Sequence, residues 1–87
     1  MLGLAYSALG QYQQAISFHQ QSLEIAREIG DRRGEANALF NKAIALNQLG
    51  KKKDVQSHYE AAKAIFSDLG LQDLVERCET AIQALDE

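Results

Sequence analysis

Apolar residues along this chain return every three or four positions, the period of helices that bury one face. From Gln11 to Ile29 the stripe is Tyr12, Ala15, Ile16, His19, Ser22, Leu23, Ala26 and Ile29. From Lys52 to Leu69 it is Val55, Tyr59, Ala62, Ile65, Phe66 and Leu69, and beyond Gly70 it is Leu71, Leu74, Val75, Cys78, Ala81, Ile82 and Leu85. Gly10, Gly30, Gly50 and Gly70 punctuate these patterns where a helix C-terminus needs a residue tolerant of positive φ, and Asp31 follows Gly30 as an N-cap. The pattern predicts about five helices, over 1–9, 11–29, 32–49, 52–69 and 71–86. Turns this short force antiparallel neighbours, so the expected class is all-α, a stack of antiparallel helical hairpins. The third helix differs from the others, because Ala36, Ala38, Leu39, Phe40, Ala43, Ile44, Ala45, Leu46 and Leu49 surround most of its circumference. Such a helix is predicted to lie between two others, with Ala36, Ala43 and Ala45 allowing close approach.

The chain also repeats itself at an offset of 40 residues. Ala5, Leu9, Gly10, Ser17, Ile25 and Gly30 recur as Ala45, Leu49, Gly50, Ser57, Ile65 and Gly70. Size or polarity is kept at Leu4/Ile44, Ala15/Val55, Ser22/Ala62 and Ile29/Leu69. A repeat of this period marks stacked supersecondary units that share one continuous core.

The segments Gly3-Leu4-Ala5-Tyr6, Leu9-Gly10-Gln11-Tyr12, Ala15-Ile16 and Ser22-Leu23 resemble the tetratricopeptide repeat. The second copy, with Ala43-Ile44-Ala45-Leu46, Leu49-Gly50, Val55 and Ala62, keeps the size pattern and replaces both tyrosines. The usual period is shorter by about six residues. The extra length falls in Arg27 to Gly34, which is similar to the long repeat variant of kinesin light chains, spindle-orientation scaffolds and bacterial signalling proteins. The resemblance implies a right-handed superhelix whose concave wall receives peptide segments, and a non-enzymatic role. It also implies one domain over 1–87: a first repeat over 1–30 that begins in mid-motif, a second over 31–70, and a C-terminal capping helix over 71–87, polar-backed by Glu76, Arg77, Glu79, Thr80 and Gln83. An incomplete first unit is expected to leave Met1, Leu2 and Leu4, with Ile16 or Leu23, short of partners. Leu2 and Leu4 are therefore the expected self-association residues, through a homodimer or helix exchange.

Nine Lys and Arg against twelve Asp and Glu set the net charge at −3, which leaves no global basic field for nucleic acid or anionic lipid. No apolar run approaches the roughly 18 residues of a membrane span, and no signal peptide is recognisable, so a cytoplasmic setting is expected. A lone Cys78 makes no internal disulfide. His19, His58 and Cys78 fit no zinc spacing, and no cofactor or metal is expected. No phosphate-binding glycine loop, nucleophile-base-acid order or paired carboxylates suggest an active site.

The candidate chemistry lies on the third helix. Asn37, Asn41, Ile44 and Gln48 fall at i, i+4, i+7 and i+11 and share one face. Asn37 and Asn41 would hold a peptide backbone through amide hydrogen bonds, Phe40 and Ile44 would supply an apolar floor, and Asn47 a flank. The plainer alternative is that both asparagines are solvated. By position, the resemblance matches Asn41 to a ligand-contacting asparagine. Three residues on stand Ile44 and, in the first copy, Leu4, so the resemblance points to an apolar or helical ligand in place of a carboxylate clamp. Lys51-Lys52-Lys53 and Asp31-Arg32-Arg33 read as solvated turns or acidic-partner contacts, with Arg27, Glu28 and Asp31 expected to pair locally. Two functional readings remain: a module binding a partner peptide or helix on its concave face, and a capping or self-association segment of a longer array.

Overall fold

The computed structural model describes residues 2–85, with side-chain surroundings from Gly10 onward. Within that range the chain forms four helices, α1 (Leu2–Ile29), α2 (Arg32–Gln48), α3 (Lys52–Asp68) and α4 (Gln72–Ala84). The all-α class and the hairpin stack stand. The helices predicted over 1–9 and 11–29 are, however, a single helix of 28 residues. Gly10 keeps helical geometry, whereas Gly30, Gly50 and Gly70 take φ of 75°, 78° and 73°. A glycine permits a turn without imposing one.

Those three glycines build the same turn each time. Lys51 N–H donates to Leu46 C=O at 3.2 Å while Gly50 N–H donates to Asn47 C=O at 3.0 Å. Leu71 to Phe66 and Gly70 to Ser67 repeat the pair at 2.9 and 3.0 Å. These are the six-to-one and five-to-two bonds of a Schellman motif, which satisfies the last helical carbonyls and reverses the chain within two residues. The residue after each glycine then starts the next helix. Asp31 does so with a side-chain cap, its Oδ1 accepting from Gly34 N–H at 2.9 Å, while Lys51 and Leu71 make no side-chain cap bond. Asp31 is thus engaged as a cap, and Arg27 pairs instead with Glu35 at 3.3 Å. Asp31→Ala is expected to lower stability by about 1 kcal/mol. Urea titration monitored by circular dichroism would show it, and an unchanged midpoint would refute the cap's contribution.

Among the described residues, substantial packing links consecutive helices: α1 with α2, α2 with α3, α3 with α4. Because α2 touches both α1 and α3, it is the central helix its apolar circumference predicts. Ala36 and Ala43 are fully buried and Ala45 nearly so. One core cluster joins Leu23, Ala36, Leu39, Ala62, Ile65, Phe66, Val75 and Cys78; a second joins Ala43, Leu46, Val55 and Tyr59. Phe40 packs against both, its ring 5.1 Å from that of Tyr59. A half-buried bond from Lys42 Nζ to Gln20 Oε1, 2.7 Å, ties α2 to α1.

On α1 the expected shortage of partners falls elsewhere than on Ile16 and Leu23. Leu23 is buried and Ile16 packs on the second cluster, because both face α2. The exposed apolar residues are Phe18, Ile25 and Ile29. Leu2 and Leu4 lie on the helical backbone of α1, and their side chains fall outside the described surroundings.

Candidate functional site

Both α2 and α4 pack against α3. Between them lies a cavity of about 220 Å³ lined by Asn37, Phe40, Asn41 and Ile44 from α2, Phe66 from α3, and Leu74 and Arg77 from α4. Helical spacing brings the four α2 residues to one wall, as the sequence implies. Phe66, almost fully buried, closes the floor, and Phe40 is fixed by its tilted contact with Tyr59. Ile44 remains 42% exposed at the rim. Asn47 and Gln48, in the last turn of α2, are exposed and do not line the cavity.

Sequence reasoning missed the opposite wall. Leu74 reads as part of a core stripe and Arg77 as an interruption of the repeat, yet both border the cavity. The available signal was spacing: Leu74 and Arg77 stand at i and i+3 on α4. Arg77 is exposed and makes no ion pair among the described residues. Its cation therefore stands beside two neutral amides, and the site carries one positive charge over an apolar floor.

A wider, more open hollow of about 500 Å³ adjoins this one through Leu74 and is bounded by Arg33, Gly70, Leu71, Gln72 and Asp73. Arg33, Asn37, Asn41 and Ile44 follow each other along α2 at helical intervals. The two hollows consequently form one groove on α2 roughly 16 Å long, eleven residues at about 1.5 Å each.

Cys78 lies behind the groove, fully buried in the first cluster. Burial pushes its thiol pKa up, with Glu79 adding to the shift and Lys63 and Arg77 opposing it. The thiol is therefore protonated at neutral pH and packs as a small hydrophobe. Burial, with a contribution from Cys78, raises the Tyr59 phenol as well. Among the described residues no three His, Cys, Asp or Glu side chains converge as a metal set. His58 Nδ1 lies 2.6 Å from Asp54 C=O on its own helix. Among the described residues no helix is long and apolar enough to cross a membrane.

The tetratricopeptide repeat family model matches residues 1–68. The chain belongs to the tetratricopeptide repeat family. Members are protein-interaction scaffolds and are generally non-enzymatic. Among curated proteins it is similar to G-protein-signaling modulator 1 of Homo sapiens, 44% identical over 50 residues that cover 58% of this chain and 7% of that protein. The Mus musculus protein of the same name is 52% identical over 40 residues, 46% of this chain and 6% of the relative. The chain thus spans less than a tenth of the length of these relatives. Among solved structures, the designed protein DA05, determined by solution NMR, superposes with a TM-score of 0.80 at 21% identity, covering 87% of this chain and 76% of that one. That similarity shows the fold, a stack of helices.

Proposed function

We propose that this tetratricopeptide chain binds a partner peptide or helix in the groove between α2 and α4, inserting one apolar side chain over Phe40 and Phe66 and placing an acidic group by Arg77. The division into repeats over 1–30 and 31–70 and a cap over 71–87 belongs to the same reading, with the groove formed where repeat meets cap. The observation that carries it is the convergence of Asn37, Phe40, Asn41 and Ile44 with Leu74 and Arg77 around one apolar-floored cavity. At about 220 Å³ the cavity is smaller than the roughly 300–1,000 Å³ of small-molecule sites, so its size supports a single anchoring side chain. The groove offers less area than a standard protein interface, which favours an affinity in the micromolar range or weaker. A cytoplasmic partner is the expected one.

A random peptide library selected on the purified chain tests this, run beside an Asn37→Ala/Asn41→Ala/Ile44→Asp variant. Enrichment of sequences pairing a large apolar residue with Asp or Glu is expected, with binding about 10-fold or more weaker in the variant. Arg77→Ala should remove the acidic preference while leaving the apolar one. Equal enrichment on both proteins, from folded samples, would refute the groove as the receptor site.

A further inference from the structure

The polar side chains of α2 divide by whether they are engaged. Arg32 and Glu35 pair with each other, with Arg27 of α1 and with Asp68 of α3, and Lys42 donates to Gln20 of α1. Arg33, Asn37 and Asn41 make no side-chain hydrogen bond or ion pair among the described residues. These three stand at i, i+4 and i+8, and all of them line the joined hollows. The arginines follow the same division. Arg27 and Arg32 are paired, whereas Arg33 and Arg77, the two that border the groove, have no ion pair among the described residues. Arg33 stands in the first turn of α2, where the helix dipole disfavours a cation, and unlike Arg32 it has no carboxylate partner to offset this. Asp73 borders the same hollow without forming an ion pair with Arg33.

The spacing of these groups selects the conformation of an occupant. Four residues of α2 rise about 6 Å, and two residues of an extended peptide rise about 6.6 Å. Asn37 and Asn41 therefore keep step with the main-chain groups of an extended segment, whose N–H and C=O lack partners of their own. A helical occupant satisfies those groups internally and offers the amides nothing in register. The anchor cavity is centred on α2 between Asn37 and Ile44, roughly 11 Å along the axis from Arg33. A helical side chain leans toward the start of its helix, which lengthens that interval toward the roughly 13 Å of four extended residues. An even interval also keeps both side chains on one face of the segment.

Building on the groove reading above, we infer that the occupant is an extended acidic segment carrying two carboxylates at a fixed interval. One lies beside its apolar anchor at Arg77, and the second lies four residues from the anchor at Arg33. The two arginines are then the specificity-determining residues, reading spacing as well as charge. Charge complementarity points to this partner: two unpaired arginines against the single carboxylate of Asp73 leave the groove positive on a chain whose net charge is −3.

Chemical-shift titration of the intact 87-residue chain with short Gly/Ser peptides tests the inference. Each peptide carries Leu-Glu, and a second Glu is placed two to seven residues from the Leu on either side. The interval of four, on one side, is expected to bind about 3- to 5-fold tighter than the peptide with Leu-Glu alone. Arg33→Ala should remove that gain and leave the single-acid peptide unchanged, Asp73→Asn should enlarge it, and about 0.5 M salt should diminish it. A best interval of seven, which is the helical spacing, a gain that survives Arg33→Ala, or no preference among intervals would overturn the inference alone, provided the Asn37→Ala/Asn41→Ala/Ile44→Asp variant still weakens single-acid binding. Peptides that shift no groove resonance at about 1 mM, or that bind the triple variant equally well, would overturn the groove reading with it.

Discussion

Phe66→Ala is expected to destabilise the chain by about 3–5 kcal/mol, the largest effect of any single truncation in this fold. Phe66 is 2% exposed and belongs to the cluster joining Leu23 and Leu39 to Val75 and Cys78, so three helix pairings meet on one ring. Removing it loses the transfer free energy of the ring and leaves a void that helices held by three-residue turns cannot close. A domain of this length has roughly 4–13 kcal/mol in total, at about 0.05–0.15 per residue. The variant should therefore unfold near or below room temperature, with a urea midpoint far below wild type and an unchanged slope. A loss under about 1 kcal/mol would mean that the α2–α3–α4 junction collapses freely around the gap. The same ring floors the groove, so any residual folded variant should also bind the anchoring side chain differently.

Ala43→Leu should cost roughly 1–3 kcal/mol for the opposite reason. Ala43 is fully buried on α2 and packs with Leu46, Val55 and Tyr59, where the backbones approach with only a methyl group between them. Three added heavy atoms must displace α3 or force strained rotamers, and α1 packed on the other side of α2 prevents a simple tilt. Ala64→Leu, on the exposed side of α3, supplies the control and should change stability by less than about 0.5 kcal/mol. Comparable losses at both positions, measured by thermal melts, would refute close packing as the cause.

Much of this architecture was legible because local chemistry determines it. Gly30, Gly50 and Gly70 end helices since the left-handed turn suits glycine, and Asp31 caps since its carboxylate reaches Gly34 N–H. Gly10 carried the same Leu-Gly signal as Gly50 and yet stays helical. Glycine permits both outcomes, so the residue alone does not decide between them. In the groove, Asn37, Phe40, Asn41 and Ile44 were legible through one helix's periodicity. Leu74, Arg77 and Phe66 were not, because they join the cavity only through the stacking of α4 and α3 against α2. Asn47 and Gln48 continue the periodicity of α2 beyond the residues that line the cavity. The family relationship accounts for the stack, and Arg77 lies beyond the residues that the family model matches.

The packing of each helix mainly on its sequence neighbours also governs how the chain forms and opens. Contacts join mainly helices that are consecutive in sequence, which favours the fast folding of helical proteins. Stability is then close to a sum of nearest-neighbour terms along a one-dimensional array. The α2–α3 pair, covered on both sides, opens last, whereas α4 can detach with loss of a single interface. Since α4 supplies the Arg77 wall, an occupant bridging α2 to α4 would hold the groove's two walls together and stabilise the α3–α4 seam.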